Sequence, residues 1–142
     1  MPTALIQVGA TREEKMTTML ARNAFESWLQ AYRAAWEGRD ALGAASLFST
    51  ENAEYYWTPF SAPQRGRSEI AAVWESAVSQ QRDIHMTFDI LAVDGSRGVA
   101  HWHTNFTSLP TEEPVQLDGI LTAEFDGPKQ CRVFREWWHQ AS

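Results

Sequence analysis

The sequence predicts an α+β fold: a cone-shaped α+β barrel in which three N-terminal helices pack on a strongly curved, mostly antiparallel sheet. Three observations lead to it. Apolar residues recur at helical spacing through the first half of the chain, then follow a period of two from Met86 onward. The later segments are separated by turn signals that join antiparallel neighbours. The 142 residues include seven Trp, seven Phe and three Tyr, enough rings to line a cavity as well as fill a core.

The elements follow in order. Thr11 and Glu14 form a capping box and mark a helix start. Met16, Leu20, Phe25, Trp28, Leu29, Tyr32 and Trp36 then make one apolar stripe, and Gly38 supplies a stop. Asp40 can cap a second, short helix through Leu47 and Phe48. Residues 53–58 favour a short strand. Pro59, Pro63 and Gly66 make a loop, after which Ser68 can cap a third helix with Ile70, Val73, Trp74, Ala77 and Val78 on its apolar face. Residues 86–93 are β-rich, Asp94-Gly95 signals a hairpin, and residues 99–107 return as a strand. A polar loop over residues 109–114 leads into a long strand over 115–125. Asp126-Gly127-Pro128 turns the chain into a last strand over 131–139. Helices followed by antiparallel strands form an α+β layer, and helices closing one side of a curved sheet leave a cone-shaped cavity.

The length suits one domain, read as residues 11–142 behind a tail of residues 1–10. Net charge is −6 with no basic run, which argues against nucleic acid and an anionic membrane surface as partners. No stretch is long and apolar enough to span a bilayer. Cys131 is the single cysteine, so there is no internal disulfide and no thiolate cluster for zinc, and a reducing cytoplasm is the expected compartment. No phosphate-binding glycine loop, Ser-His-Asp order or nucleotide fingerprint is present, so no cofactor and no metal are expected.

An ordered set of short stretches resembles the nuclear transport factor 2-like superfamily, whose members include SnoaL-like polyketide cyclases and ketosteroid isomerases. The set is Tyr32 with Trp36-Glu37-Gly38-Arg39-Asp40 and Leu47-Phe48, then Pro59-Phe60 and Arg65-Gly66-Arg67-Ser68-Glu69-Ile70. Leu117-Asp118-Gly119-Ile120 leading to Phe125-Asp126-Gly127, and Arg135-Glu136-Trp137-Trp138, complete it. The resemblance covers most of residues 20–139. It implies the cone-shaped fold and a small, largely apolar organic ligand. It does not by itself imply one reaction, since unrelated functions share this fold.

Ketosteroid isomerase is the sharpest comparison, because its chemistry needs a carboxylate base and an oxyanion hole made of a Tyr hydroxyl and a protonated Asp. The Tyr of that site falls on Tyr32. The base falls near Trp57 or Thr58, neither of which can abstract a proton. The oxyanion Asp falls on Leu121, and Asp118 lies an odd number of residues away, on the opposite face of a regular strand. Only a bulge beside Gly119 would re-aim it. The resemblance therefore implies the fold without that isomerase site.

Glu136 and Tyr32 are the catalytic candidates. Phe134, Glu136 and Trp138 share one face of the last strand, and the resemblance turns that face inward. A carboxyl beside Trp138 in an apolar cone has a raised pKa, useful for acid–base work. Alternatively Glu136 bonds a Tyr hydroxyl or an Arg and fixes the sheet. Tyr32 either donates to a ligand or is a core phenol. Trp28, Trp36, Trp57, Phe60, Trp74, Trp102, Thr104, Leu121 and Trp138 are the candidate ligand contacts, some of them core by their helical spacing. His101 and His103 share a strand face, away from the more apolar face of Ala100, Trp102, Thr104 and Phe106. Without an acidic neighbour they read as a solvated or dimer-facing pair. Arg65 and Arg67 either bind an anion or are solvated loop charges. Trp137 on the outer face marks a sheet-to-sheet homodimer. The expected function is cofactor-free isomerisation, cyclisation, dehydration or hydrolysis of a hydrophobic ring compound. The alternative is a non-catalytic ligand-binding or dimerisation module. An open cavity with converging polar groups fits the first, and a cone plugged by its own rings fits the second.

Overall fold

The computed structural model describes residues 12–127 and 129–142, with side chains from residue 22 onward. The tail, Thr11 of the capping box, and the side chains of Met16 and Leu20 lie outside that description. Helix α1 spans Arg12–Glu37, and its stripe of Phe25, Trp28, Leu29, Tyr32 and Trp36 is buried as the spacing requires. Burial of each such side chain contributes on the order of 2 kcal/mol. Helix α2, Ala41–Ala45, is shorter than expected. Asp40 caps it by accepting from the Gly43 N–H at 2.9 Å, and the chain leaves the helix before Leu47 and Phe48. Strand β1 is Glu54–Tyr56, and β2 is a two-residue strand, Gln64–Arg65, within the expected loop. Helix α3 spans Gly66–Val78 and starts two residues before Ser68. The Glu69 carboxylate replaces the serine cap by accepting from the Arg65 N–H at 2.9 Å.

Strands β3 (Gln81–Asp94), β4 (Arg97–Ser108), β5 (Pro114–Phe125) and β6 (Cys131–Gln140) form an antiparallel meander. The full order is β2-β1-β6-β5-β4-β3, with β1 parallel to β6. The sheet curves but does not close on itself by hydrogen bonds, since β2 and β3 are its two edges. Register shifts near residues 82–85 and 90–92 interrupt the long β3 pairing, as bulges do where a sheet bends.

Polar contacts tie the elements to one another. Glu37 accepts from the Met86 N–H at 2.9 Å. Arg39 donates to the Val78 carbonyl at 3.0 Å and so caps α3. Arg67 donates to the carbonyls of Phe48 and Ser46 beyond α2, and Arg65 pairs with Glu54. The two arginines are thus engaged with the protein itself rather than standing as solvated loop charges. On β4, Gly98 lies against the Phe25 ring, where an added Cβ would run into it. The glycine lets α1 approach the sheet closely.

The core is aromatic. Phe134 stacks on Tyr55 (5.1 Å, 12°) and on Tyr32 (5.5 Å, 24°), and its other neighbours are Trp28 and Phe48. Edge-to-face and offset geometries of this kind add to plain area burial.

Candidate active site

Between the helices and the concave face of the sheet lies a cavity of about 400 Å³. Helix α1 contributes Tyr32 and Trp36, and α3 contributes Trp74. Strand β1 and the loop after it contribute Tyr55 and Trp57, β4 contributes Trp102, and β6 contributes Glu136 and Trp138. The exposed residues Trp57, Ala77 and Gln140 stand on its open side, while Tyr32, Tyr55, Trp102 and Glu136 are buried at its depth. Gly119 lies between Trp102 and Trp138 in the inner row of the sheet. A Cβ there would stand 2.8 Å from the Trp138 Cβ, so the glycine keeps that part of the wall clear.

The polar centre is a carboxyl and two phenols. Glu136 is buried, and the Tyr55 hydroxyl donates to its Oε1 at 3.2 Å. Its Oε2 has no hydrogen-bond partner among the described residues. Burial pushes the Glu136 carboxyl up to about 8, with the Tyr55 bond pulling the other way. Both phenols are held well above their ordinary value, first by burial and then by the neighbouring Glu136 charge. Tyr55 raises Tyr32 further, while Tyr32 pulls Tyr55 the other way, so the three groups form one small network. At neutral pH all three carry their protons, and the cluster presents hydrogen-bond donors to whatever enters.

Supporting contacts hold the wall. Trp36 Nε1 donates to Gln81 Oε1 at 2.9 Å, and Trp138 Nε1 donates to the Trp57 carbonyl at 2.8 Å. The second bond ties the β1–β2 loop to the last strand at the open side.

Seven of the sequence candidates meet at this cavity: Tyr32, Trp36, Trp57, Trp74, Trp102, Glu136 and Trp138. Four do not line it. Trp28 sits one turn earlier on α1, stacked on Tyr32 at 5.3 Å, with its Nε1 donating to the Leu47 carbonyl. Leu121 is the cross-strand neighbour of Glu136 and is fully buried behind the wall. Thr104 faces inward but is sealed, its hydroxyl without a partner among the described residues. Phe60 is 98% exposed on the proline-bounded loop and points away from the core. Tyr55 lines the cavity beside Glu136, a position the sequence did not single out. Its neighbours Glu54 and Tyr56 alternate with it in exposure, which marks it as inward, but only the β1–β6 pairing reveals its partner.

The outer face holds the remaining candidates. Asp118 faces outward with no register shift beside Gly119, as the odd offset requires. It accepts from His101 and His103 at 3.0 and 3.2 Å, contrary to the expectation that the histidines lack an acidic neighbour. Those bonds hold the Asp118 carboxyl below its usual range. The register sets Asp118 directly across from His103, a pairing between strands that sequence spacing does not display. Among the described residues no group of three His, Cys, Asp or Glu side chains is arranged to hold a metal ion. No described helix is long and apolar enough to cross a membrane.

Residues 29–133 match the sequence profile of the SnoaL-like domain. The chain belongs to the SnoaL-like family. No curated protein sequence matches it. Three solved structures share the SnoaL-like fold with it. The epoxide hydrolase/cyclase-like enzyme SalBIII, described in pyran ring formation in the polyether salinomycin, is 14% identical. It covers 84% of this chain and 94% of its own, with a TM-score of 0.73. A Δ5-3-ketosteroid isomerase from Mycobacterium sp. is 14% identical over 83% of this chain and 97% of its own, with a TM-score of 0.70. A hypothetical protein of ketosteroid isomerase-like fold from Catenulispora acidiphila, in complex with trimethylamine, is 15% identical. It covers 77% and 82% of the two chains, with a TM-score of 0.67. At these identities the likeness is one of fold.

Proposed function

We propose that this SnoaL-like protein binds a small, largely apolar ring compound in its cavity and acts on it by cofactor-free acid–base chemistry. The observation that carries the reading is Glu136, a buried carboxyl at the depth of an aromatic cavity, bonded to one phenol and open on its other oxygen. A carboxyl poised near 8 is matched to proton transfer at ordinary pH. A neutral ligand meets it as the acid, so the first transfer goes from Glu136 to a ligand oxygen, and the carboxylate left behind takes a proton back in a later step. Tyr55 steadies that carboxylate, and the Tyr32 hydroxyl beside it supports a developing oxyanion through the shared network. The open cavity with converging polar groups favours this reading over a plugged cone serving only as a binding or dimerisation module. Ring formation and isomerisation are named for two of the structural neighbours.

The test is Glu136→Gln assayed against a panel of cyclic epoxides, ketones and hydroxyketones that the wild type converts. Turnover is expected to fall about 10²–10⁴-fold with the fold intact. Unchanged turnover would remove Glu136 from the mechanism.

The reading includes a reducing, cytoplasmic setting, in keeping with the buried free thiol of Cys131, and a homodimer through the outer sheet face. Trp137 is 44% exposed there, in a row with His101 and Ile120. Light scattering is expected to return a dimer for the wild type and a monomer for Trp137→Glu. A monomeric wild type would sink the dimer.

A further inference from the structure

Two indoles of the cavity wall hold their N–H groups idle. Trp74 Nε1 and Trp102 Nε1 are buried and have no hydrogen-bond partner among the described residues. A buried donor left unpaired costs about 1–3 kcal/mol, so what lies beside each one matters. Beside the Trp74 N–H is the Tyr55 hydroxyl. Burial and the Glu136 charge push that phenol up, while Tyr32 and then Trp74 pull it the other way, as donors directed at its oxygen do. Trp102 is not among the groups that bear on it. The Tyr32 and Trp74 rings meet edge to face, 5.2 Å apart at 87°, so the two donors come to Tyr55 together from the helical layer.

A hydroxyl donates once and accepts twice. The Tyr55 donation goes to Glu136 Oε1 at 3.2 Å. Tyr32 and Trp74 address its two acceptor positions, which leaves its hydrogen no other direction. Oε1 is then an acceptor, and a neutral Glu136 carries its proton on Oε2, the oxygen open to the cavity.

We infer that Trp74 is a positioning residue for proton transfer: its indole N–H bonds the Tyr55 oxygen as Glu136 ionises, and so holds Tyr55 as the donor that keeps the transferable proton on Oε2. The inference rests on the reading of Glu136 as the cavity's proton-transfer group. The proton goes from Oε2 to a ligand oxygen and later returns, while Tyr55, Tyr32 and Trp74 each keep their own. What reaches Trp74 is polarisation. The new carboxylate draws on the Tyr55 hydrogen, the Tyr55 oxygen becomes a better acceptor, and the idle N–H turns to it. A donor unpaired before the transfer and paired after it favours the charged state over the resting one. Of the other groups facing Glu136, Tyr32 on α1 and Tyr55 on β1 titrate well above its range, and Leu121 on β5 does not titrate.

The experiment needs no ligand. The full chain, with nitrogen-labelled indoles and carbon-labelled glutamate carboxyls, is titrated by NMR from pH 6 to 10. The Trp74 N–H is expected to move downfield with the same midpoint as the Glu136 carboxyl, about 8, while the Trp102 N–H stays still. Replacing the Trp74 indole with benzothiophene keeps the ring shape and removes the donor. The Glu136 midpoint should then rise by about 0.5 pH unit, and Tyr55→Phe should raise it by about 1–2. A merely structural role predicts the opposite sign, because a loosened cavity admits water and lowers a carboxyl held up by burial. In Tyr55→Phe the Trp74 signal should no longer follow Glu136. A Trp74 signal that is flat through the wild-type midpoint overturns the inference without any variant. So does a midpoint that stays or falls with benzothiophene, or a Trp74 signal that still follows Glu136 in Tyr55→Phe. The two readings fail separately. A flat Trp74 signal with turnover lost in Glu136→Gln leaves acid–base catalysis standing and removes Trp74 from it. A titrating Trp74 with full turnover in Glu136→Gln keeps the chain of bonds and removes the proton transfer.

Discussion

Glu136→Gln is expected to make the protein more stable, most of all at pH 8 and above. The sign follows from the two states of the carboxyl. Unfolded, Glu136 ionises near 4.5; folded, burial holds its proton up to about 8. Below pH 4.5 both states are protonated and nothing is lost. Between those values the unfolded chain ionises while the native one does not, so the folded state loses stability as pH rises. The full loss is on the order of 5 kcal/mol, complete above pH 8. Gln carries no such penalty, and its carbonyl oxygen can still accept from Tyr55. Urea titrations from pH 5 to 9 should therefore show a falling curve for the wild type and a flatter one for the variant, the gap widening to several kcal/mol. Parallel curves would mean that the native carboxyl is already ionised at neutral pH. A residue whose removal stabilises the fold is retained for another reason, in keeping with a functional group held under strain of burial.

Phe134→Ala is expected to have the largest effect of opposite sign. Phe134 is fully buried and touches Tyr55, Tyr32, Trp28 and Phe48, so four aromatic neighbours lose a contact together. Removing a ring from such a site leaves a cavity that rigid neighbours cannot fill, and the loss is about 3–5 kcal/mol. Thermal unfolding followed by circular dichroism should show the drop. Because Phe134 stacks on both phenols beside Glu136, the variant should also weaken binding of the proposed ligand even where it remains folded. A loss below about 1 kcal/mol would show that the core relaxes around the gap.

Much of this arrangement was legible in the sequence, for physical reasons that also mark where reading stops. Periodicity found the helices and the four long strands, because a stripe at 3.6 or an alternation at 2.0 reflects which side meets the core. Parity along a regular strand put Glu136 on one face with Phe134 and Trp138 and set Asp118 opposite Leu121, and the resemblance turned the Glu136 face inward. The failures lie where geometry depends on partners distant in the chain. Tyr55 and Glu136 are 81 residues apart, and their bond exists only because β1 lies beside β6. Asp118 meets its histidines through a cross-strand register that spacing does not encode. Trp28 and Thr104 share faces with cavity residues, yet depth along the cone, not face, decides which of them reach the open space. Phe60 was placed by motif resemblance, and a loop bounded by prolines is free to carry its side chain outward.

The parallel pairing of β1 with β6 has a consequence for how the protein comes to be. The meander of β3 to β6 can zip through short hairpins, each strand finding the one made just before it. β1 cannot join until β6 exists, and it must then close a loop of nearly eighty residues. Contacts of such long range come late and slowly in folding. The Tyr55–Glu136 pair is thus assembled by the final closure of the chain, and a partly folded molecule with its helices and hairpins in place would still lack it.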